Sequence, residues 1–105
     1  MNSSFSFNAE QFNRLFPFYF IINRELKIIS YGKSFAKLFV FEKDKLFNYY
    51  FNIPRPLTAI NSLDDIISLQ DQYVVLDSAL LKNNKLRGQF EYLENSDEVL
   101  FVGSP

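Results

Sequence analysis

The most constraining feature of this sequence is a stretch of strict alternation near its end. Across residues 86–93, Leu, Gly, Phe and Tyr alternate with Arg, Gln and Glu, which is the two-residue period of a β-strand. Polar residues 94–97 predict a turn, and the apolar run Val99–Val102 predicts the next strand. The end of the chain is therefore predicted to fold as two consecutive strands of an antiparallel sheet.

Three further strands are predicted from β-prone apolar runs. Phe18–Ile22 is continuously apolar, as in a central strand, and Leu26–Tyr31 follows it after a short polar turn. The third run lies within Gln72–Asp77, and polar residues 82–85 separate it from the alternating strand. The predicted order is thus two strands, a middle region, and three strands.

Helical patterns begin the chain and occupy the middle region. Asn8 is the predicted N-cap of a short first helix, with Gln11 at the capping-box position, and Pro17 ends that helix. Ser62 is the predicted N-cap of the last helix. Three helical segments are predicted between the second and third strands: Lys33–Phe39, Lys43–Tyr49 and Leu63–Leu69.

Two prolines interrupt the middle region. Pro54 and Pro56 predict that residues 51–57 are extended but do not lie inside a sheet, because proline has no backbone N–H to donate. The fold class that follows is α+β. It has a five-stranded antiparallel sheet, helices inserted between strands two and three, and an N-terminal flanking helix.

The length of 105 residues predicts one domain over residues 1–105, with 1–16 as a flanking segment and helix. The chain stops directly after a strand, at Gly103–Pro105, so we expect it to be part of a longer polypeptide. Met1 is followed by polar residues rather than by a basic and then apolar segment, and no signal peptide is predicted. The densest apolar stretch, Phe16–Ile22, is too short to span a bilayer, so a soluble cytoplasmic domain is expected.

Two residue types that carry much of protein chemistry are absent from the sequence. Without His, the chain lacks the commonest general base, the commonest metal ligand and the usual haem ligand. Without Cys, it has no disulfide, thiolate metal site or cysteine nucleophile. The sequence therefore predicts a domain that is not an enzyme and holds no cofactor or metal.

The charges are balanced, with 11 basic and 12 acidic residues and a net charge of −1. No block of like charge and no basic stripe occurs, so we expect neither nucleic acid nor an anionic membrane as a partner.

A few polar residues admit more than one interpretation. Asp64 and Asp65 are adjacent on a helix and point about 100° apart, which favours helix N-terminal electrostatics over a metal or acid–base pair. Asp97 is interpreted as part of a solvated loop. Gly88 either packs in the sheet or allows a ligand or backbone to approach closely. Arg55, between two prolines, either contacts a carboxylate of a partner or caps its own loop.

The strand and helix order resembles that of a PAS domain, and several segments narrow the resemblance to one family. Phe16–Phe18, Leu26–Ile29 and Gly32–Ser34 are similar to the start of the haem-NO-binding-associated domain. Phe51–Pro56 is similar to a Phe…Arg-Pro segment in its middle. The strongest similarity is at the end, over Leu86–Leu93 and Leu100–Pro105, where one departure is Phe90 in place of the Met common in the cyclases.

This resemblance implies a PAS-like fold without catalysis, cofactor or catalytic residues. It implies a homodimerising domain that relays a signal from an H-NOX-type gas sensor to a kinase or cyclase output domain. The parent protein would then be a histidine kinase or a nucleotide cyclase, as in soluble guanylate cyclases and related bacterial proteins.

Aromatic residues make up 18% of the chain, and they support two hypotheses from different classes. In the first, an apolar stripe packs across the two-fold axis of a homodimer; its residues are Phe5, Phe7, Phe12, Leu15 and Phe16. In the second, the domain senses a small apolar molecule in its core, in a pocket lined by Phe35, Phe39, Phe47, Tyr73 and Phe90. Large rings fill space and an empty cavity costs stability, so a filled core is preferred.

Overall fold

A single antiparallel sheet with short helices forms the domain. The structure is a computed structural model that describes residues 7–38, 40–42, 44–78 and 85–105. Its helices are α1 (Ala9–Leu15), α2 (Lys33–Leu38), α3 (Phe47–Tyr50) and α4 (Leu63–Ile67). Its strands are β1 (Tyr19–Ile22), β2 (Ile28–Tyr31), β3 (Asn52–Arg55), β4 (Leu57–Thr58), β5 (Val74–Asp77), β6 (Lys85–Leu93) and β7 (Glu98–Ser104).

The sheet has the strand order β2-β1-β7-β6-β5-β3-β4. The first strand lies between β2 and the last strand, so Phe20 pairs with both Tyr31 and Phe101. β6 and β7 form a long hairpin in which Phe90 pairs with Phe101. The predicted α+β class is confirmed, and all five predicted strands are present with shifted ends.

The prediction of a five-stranded sheet is wrong, because the described residues form seven strands. The two additional strands lie in the proline-containing segment that was expected outside the sheet. β3 pairs with β5 on one side and with β4 on the other. Its pairing with β5 is irregular between Asn52 and Arg55, so Pro54 lies where the ladder is already interrupted and its missing N–H is tolerated.

Two helices between β2 and β5 differ from their sequence patterns, and the predicted end of α2, Phe39, lies outside the described residues. The third predicted helix begins at Phe47 instead of Lys43, which lies outside the described residues. The fourth ends at Ile67 instead of Leu69. Helix ends are the parts of a pattern that sequence defines least well.

The first helix is capped as its sequence predicts. The Gln11 backbone N–H donates to Asn8 Oδ1 at 2.8 Å, and the Asn8 N–H donates to Gln11 Oε1 at 3.1 Å. The Phe16 N–H then donates to the Phe12 carbonyl, and Pro17 follows. These contacts fix α1 as a two-turn element directly before β1.

Aromatic rings fill the space between the sheet and the helices. The Phe20 ring lies 5.3 Å from the Phe51 ring and 5.0 Å from the Phe101 ring, centre to centre. Phe35 in α2 lies 5.4 Å from Phe20, and Phe47 in α3 lies 6.4 Å from Phe90. We call the side of the sheet that bears this core the inner face, and the opposite side the outer face.

Gly88 is a packing position under one of these rings. It pairs with Gly103 across the β6–β7 ladder, and the Phe101 ring lies over both residues. A Cβ at Gly88 would lie 2.8 Å from Phe101 Cζ and 2.1 Å from the Val102 carbonyl oxygen. Of the two interpretations of Gly88, the structure therefore supports packing in the sheet, with a ring and backbone of the same domain in close contact.

Candidate interaction surface

α1 and the residues at its two ends carry apolar side chains that the described part of the domain does not cover. Phe7 is 51% exposed, Leu15 is 57% exposed and Phe16 is 37% exposed. Phe12 behaves differently, because its half-buried ring packs edge-on against Tyr19 at 5.0 Å. The four described residues of the predicted dimer stripe thus divide into one anchor, Phe12, and three exposed residues. Phe5 lies outside the described residues.

A groove separates α1 from the outer face of the sheet. It has a volume of about 310 Å³. Its walls come from the start of α1 and from the adjoining strands β1, β2 and β7, and they comprise Phe7, Asn8, Ala9, Phe12, Tyr19, Ile21, Ser30 and Leu100. Ile21 pairs with both Ser30 and Leu100, so these three side chains form a row across the floor. The exposed residues of α1 and this groove together form the candidate interaction surface.

The floor of the groove was missed at the level of sequence, although a signal for it was present. An outward-facing residue of a solvated strand is polar, whereas Tyr19, Ile21 and Leu100 are apolar or aromatic. Continuous apolar runs are typical of strands that are covered on both faces. The run Phe18–Ile22 therefore already indicated a second covering layer, but not which element supplies it.

The residues predicted to line an internal pocket do not form one group. Phe35 and Phe47 have no exposed surface and Phe90 is 2% exposed, so all three belong to the packed core. Tyr73 precedes β5 with 78% of its surface exposed, and its assignment to an internal pocket is corrected accordingly. Phe39 lies outside the described residues.

The described core rings contact one another directly. The centres of Phe20 and Phe47 lie 6.2 Å apart, and those of Phe90 and Phe101 lie 5.3 Å apart. Aromatic rings in contact have centres 4.5–7 Å apart, which leaves no space for a ligand between such pairs. This packing supports a filled core over a ligand-binding one.

Arg55 lies at the end of β3 with an exposed side chain. It pairs with Val75 of β5, which pairs with Arg87 of β6. Lys85 lies two residues before Arg87 on the same strand, and the four side chains border one shallow depression. Neither Lys85 nor Arg87 was singled out from the sequence, although the polar half of the β6 alternation contains Arg87.

An ionic cluster joins the β1–β2 turn, the β6–β7 hairpin and the start of α4. Arg24, in the β1–β2 turn, donates through Nη2 to Asp97 Oδ1 at 2.6 Å and through Nε to Asp97 Oδ2 at 2.9 Å. Its Nη1 donates to Asp64 Oδ1 at 2.8 Å, and the Tyr92 hydroxyl donates to Asp97 Oδ1 at 2.7 Å. We call these four residues the turn clasp.

The clasp changes the acidity of its members. Hydrogen bonds from Arg24 and then from Tyr92 lower the pKa of Asp97 to about 2. Arg24 and Tyr92 both have a raised pKa, and in each case the largest cause is the hydrogen bond with Asp97. Asp97 lies in a turn with 46% of its side chain exposed, as the solvated-loop interpretation expects. That interpretation missed the structural role of the carboxylate, which links the β6–β7 turn to the β1–β2 turn.

The two acidic residues of α4, Asp64 and Asp65, make different structural contacts. Asp65 accepts hydrogen bonds from the backbone N–H groups of Asn61 and Ser62, as a capping-box residue does. Asp64 belongs to the clasp.

Within residues 7–38, 40–42, 44–78 and 85–105, no group of three or more acidic side chains is arranged to hold a metal ion. None of the helices in this part of the chain is long and apolar enough to cross a membrane.

Comparison with known protein families identifies a relationship over most of the chain. A family model described as "Heme NO binding associated" matches residues 5–85. The closing strands, where the resemblance was judged strongest, lie almost entirely beyond that match. The individual relatives cover them, because their alignments include 98% of the chain.

These relatives are guanylate cyclases by name. A head-specific guanylate cyclase of Drosophila melanogaster is 26% identical over 118 residues. The guanylate cyclase soluble subunit alpha-1 is 28% identical in Canis lupus familiaris and 29% identical in Mus musculus, each over 113 residues. The alignments cover 98% of this chain but only 16–17% of the length of each relative.

Proposed function

The chain belongs to the haem NO binding associated family, and we propose that it is a non-catalytic signal-transducing domain that dimerises through the candidate interaction surface. Its signalling association rests on the family and on relatives that are named as cyclases. The dimer is supported by a separate observation, the exposed apolar side of α1 beside an apolar groove.

We infer a PAS-type fold for the domain. The strands β2, β1, β7, β6 and β5 lie side by side in that order, and the helices α2, α3 and α4 intervene between β2 and β5. These are the five strands whose order suggested a PAS domain from the sequence. In this interpretation β3 and β4 are an extension of the sheet at the β5 edge.

The dimer places apolar surface of two domains against each other. Phe7, Leu15 and Phe16 are large exposed apolar residues at the two ends of α1, and exposed apolar surface on a soluble domain can mark a contact site. In a two-fold dimer, the same patch serves both partners. Two of the relatives are named as subunits, which supports assembly as part of the function.

The domain transmits a signal and does not generate one. It would relay a signal from an H-NOX-type gas sensor to a cyclase or kinase output domain, with the cyclase favoured by the names of the relatives. The sequence has no His or Cys, which supply most haem axial ligands, so we assign haem to a neighbouring domain. A cytoplasmic location remains part of this proposal.

A single substitution on the exposed side of α1 tests the dimer. Leu15→Asp replaces the most exposed of the three apolar residues, at 57%, with a charged one, and it leaves the Phe12–Tyr19 anchor in place. Sedimentation velocity of the unaltered chain should show a concentration-dependent dimer, and Leu15→Asp should remain monomeric throughout the same range. In the full-length protein, this variant should lose its response to the gas ligand and keep its basal output.

Leu57→Asp is the matched control. Leu57 is 91% exposed on β4 and lies outside the candidate interaction surface, so this variant should dimerise like the unaltered chain. A strictly monomeric unaltered chain would contradict the proposal, and so would a dimer that both substitutions leave intact.

A further inference from the structure

Three cations lie together on the outer face, away from the groove. Arg55, Lys85 and Arg87 are exposed and surround the half-buried side chain of Val75. The depression that they border has a volume of about 230 Å³. We call these four residues the cationic depression.

The strand register explains why the cations converge. Arg55, Val75 and Arg87 occupy one row across β3, β5 and β6. Neighbouring strands are about 4.8 Å apart, so the backbones of the two arginines are about 10 Å apart, with Val75 between them. Lys85 lies about 7 Å from Arg87 along β6, on the same side of the strand. Long side chains at these positions can converge on one ligand.

Among the described residues, no ion pair neutralises these cations. All 12 acidic residues lie within the described ranges, yet the ion pairs formed there involve only Arg14 and Arg24 as cations. Asp77 faces Lys85 across the β5–β6 ladder, and their carboxylate and ammonium groups do not come within ion-pairing distance of 4 Å. Like charges so close together repel one another, and an external carboxylate would relieve that repulsion.

The chemistry of the depression favours a particular kind of occupant. The planar guanidinium groups of Arg55 and Arg87 suit bidentate contacts with carboxylates. Val75 offers an apolar contact at the centre, and Tyr73, just before β5, presents a largely exposed ring. Asp77 lies beside Lys85, with which it pairs, and Glu91 lies four residues beyond Arg87 on β6, which limits the length of polyanion that could follow the surface. A protein segment fits this pattern better than a nucleic acid does.

We propose that the cationic depression is a second interaction site, which binds an acidic segment of a partner protein that carries an apolar side chain between carboxylates. It is separate from the surface proposed for dimerisation, because none of its four residues lines the groove or belongs to α1. The two proposals can therefore fail independently. Leu15→Asp, which should abolish the dimer, leaves the cationic depression unchanged.

The test is the binding of a synthetic peptide in which glutamates flank one leucine. Titration of the isotope-labelled chain, followed by amide chemical shifts, should show saturable changes centred on Arg55, Val75 and Arg87. Fluorescence anisotropy should show that Arg87→Gln and Arg55→Gln each weaken binding by about two- to fivefold, as expected for an exposed charged contact. Binding should also weaken as the salt concentration rises.

Two controls separate the site from general charge attraction. Lys37→Gln removes an exposed cation of α2 and should leave peptide affinity unchanged. The same peptide with glutamine in place of glutamate should not bind. Thermal unfolding should be the same for Arg55→Gln, Arg87→Gln and the unaltered chain, because these side chains make no ion pair in the described structure.

Three results would each overturn the proposal. One is the absence of saturable peptide binding at low salt. Another is binding that Arg55→Gln and Arg87→Gln leave unchanged. The third is equal or tighter binding of inorganic phosphate, anionic lipid vesicles or single-stranded DNA, since the depression would then be a general anion-binding surface.

Discussion

The two faces of the sheet are built from alternate residues of the same strands, and they differ in what they contact. In β7, Val99 and Phe101 point to the inner face and are fully buried. Leu100 and Val102, between them, point to the outer face and are half-buried. The inner face is closed by rings from its own helices, whereas the outer face is only partly covered by α1.

The outer face is itself divided along the sheet. On the β1–β7 side it is apolar and borders the groove, and on the β3–β5–β6 side it carries the cationic depression. The inner face is uniform because one core must be packed without gaps. The contrast suggests a division of roles, in which stability comes mainly from the inner face and the proposed contacts with other molecules use the outer face.

The largest effect should follow from opening the core at Phe101. Phe101→Ala removes a fully buried ring that contacts Phe20 and Phe90 and lies over the glycine pair. A loss of about 3–5 kcal/mol in the free energy of unfolding is expected, as for other buried aromatic residues replaced by Ala. Urea denaturation followed by circular dichroism measures it.

The comparison between the faces depends on the neighbouring outer-face residue. Val102→Ala, one position further along β7, removes a half-buried side chain and should cost well under half as much. Equal losses at Phe101 and Val102 would show that the outer face contributes to stability as the inner face does.

A smaller but still substantial effect is expected at Gly88. The added methyl group of Gly88→Ala would meet backbone atoms of β7 as well as the Phe101 ring, so the strands or the ring would have to move. Overpacking of this kind costs about 1–3 kcal/mol. The same denaturation measurement applies. If the ring is the main obstacle, part of the loss from Gly88→Ala should be recovered when that substitution is made in a Phe101→Leu background and compared with Phe101→Leu alone. No recovery would identify the backbone of β7 instead.

The smallest effect, and the one that depends on pH, concerns the turn clasp. Because Arg24 and Tyr92 lower the pKa of Asp97 to about 2, below its usual 3.8, the ionised carboxylate stabilises the folded state above pH 4. This contribution is lost as the pH falls from about 4 to 2. The difference in unfolding temperature between the unaltered chain and Asp97→Asn should therefore shrink over that range.

Asn is a suitable replacement because Asp97 has a φ of 53°, which Asn tolerates better than most residues. Arg24→Gln should show the same dependence, since it removes the cation from the same contact. A difference that stays constant down to pH 2 would contradict the assigned pKa.

The sequence predicted the strands better than it predicted the site. Alternation located β6, and capping residues located the start of α1, because both patterns are local. The pairing of Asn52–Arg55 with β5 was not predicted, because prolines argue against a position inside a sheet. The β3–β5 ladder is interrupted between these two residues, and this is what allows Pro54 to lie in the strand. Tyr73 was placed inside for its size, but only the register of β5 decides which way a neighbouring residue points.

The ionic and surface features could be predicted least. Arg24 and Asp97 are 73 positions apart, and no local pattern links them. Arg55 was noticed for its proline neighbours, whereas Lys85 and Arg87 join it only because β3, β5 and β6 are adjacent in the sheet. Clusters assembled from several strands depend on topology, which a single sequence does not specify.

The position of β1 between β2 and β7 also bears on the order in which the domain assembles. Tyr19 pairs with Val102, so one of the earliest segments of the chain completes its ladder only when one of the latest is in place. Until then, β1 has an open edge and the Phe20 ring lacks its Phe101 neighbour. Pairings between distant segments slow folding and leave intermediates prone to aggregation. During synthesis, the open edge of β1 would therefore stay unprotected until β7 has emerged.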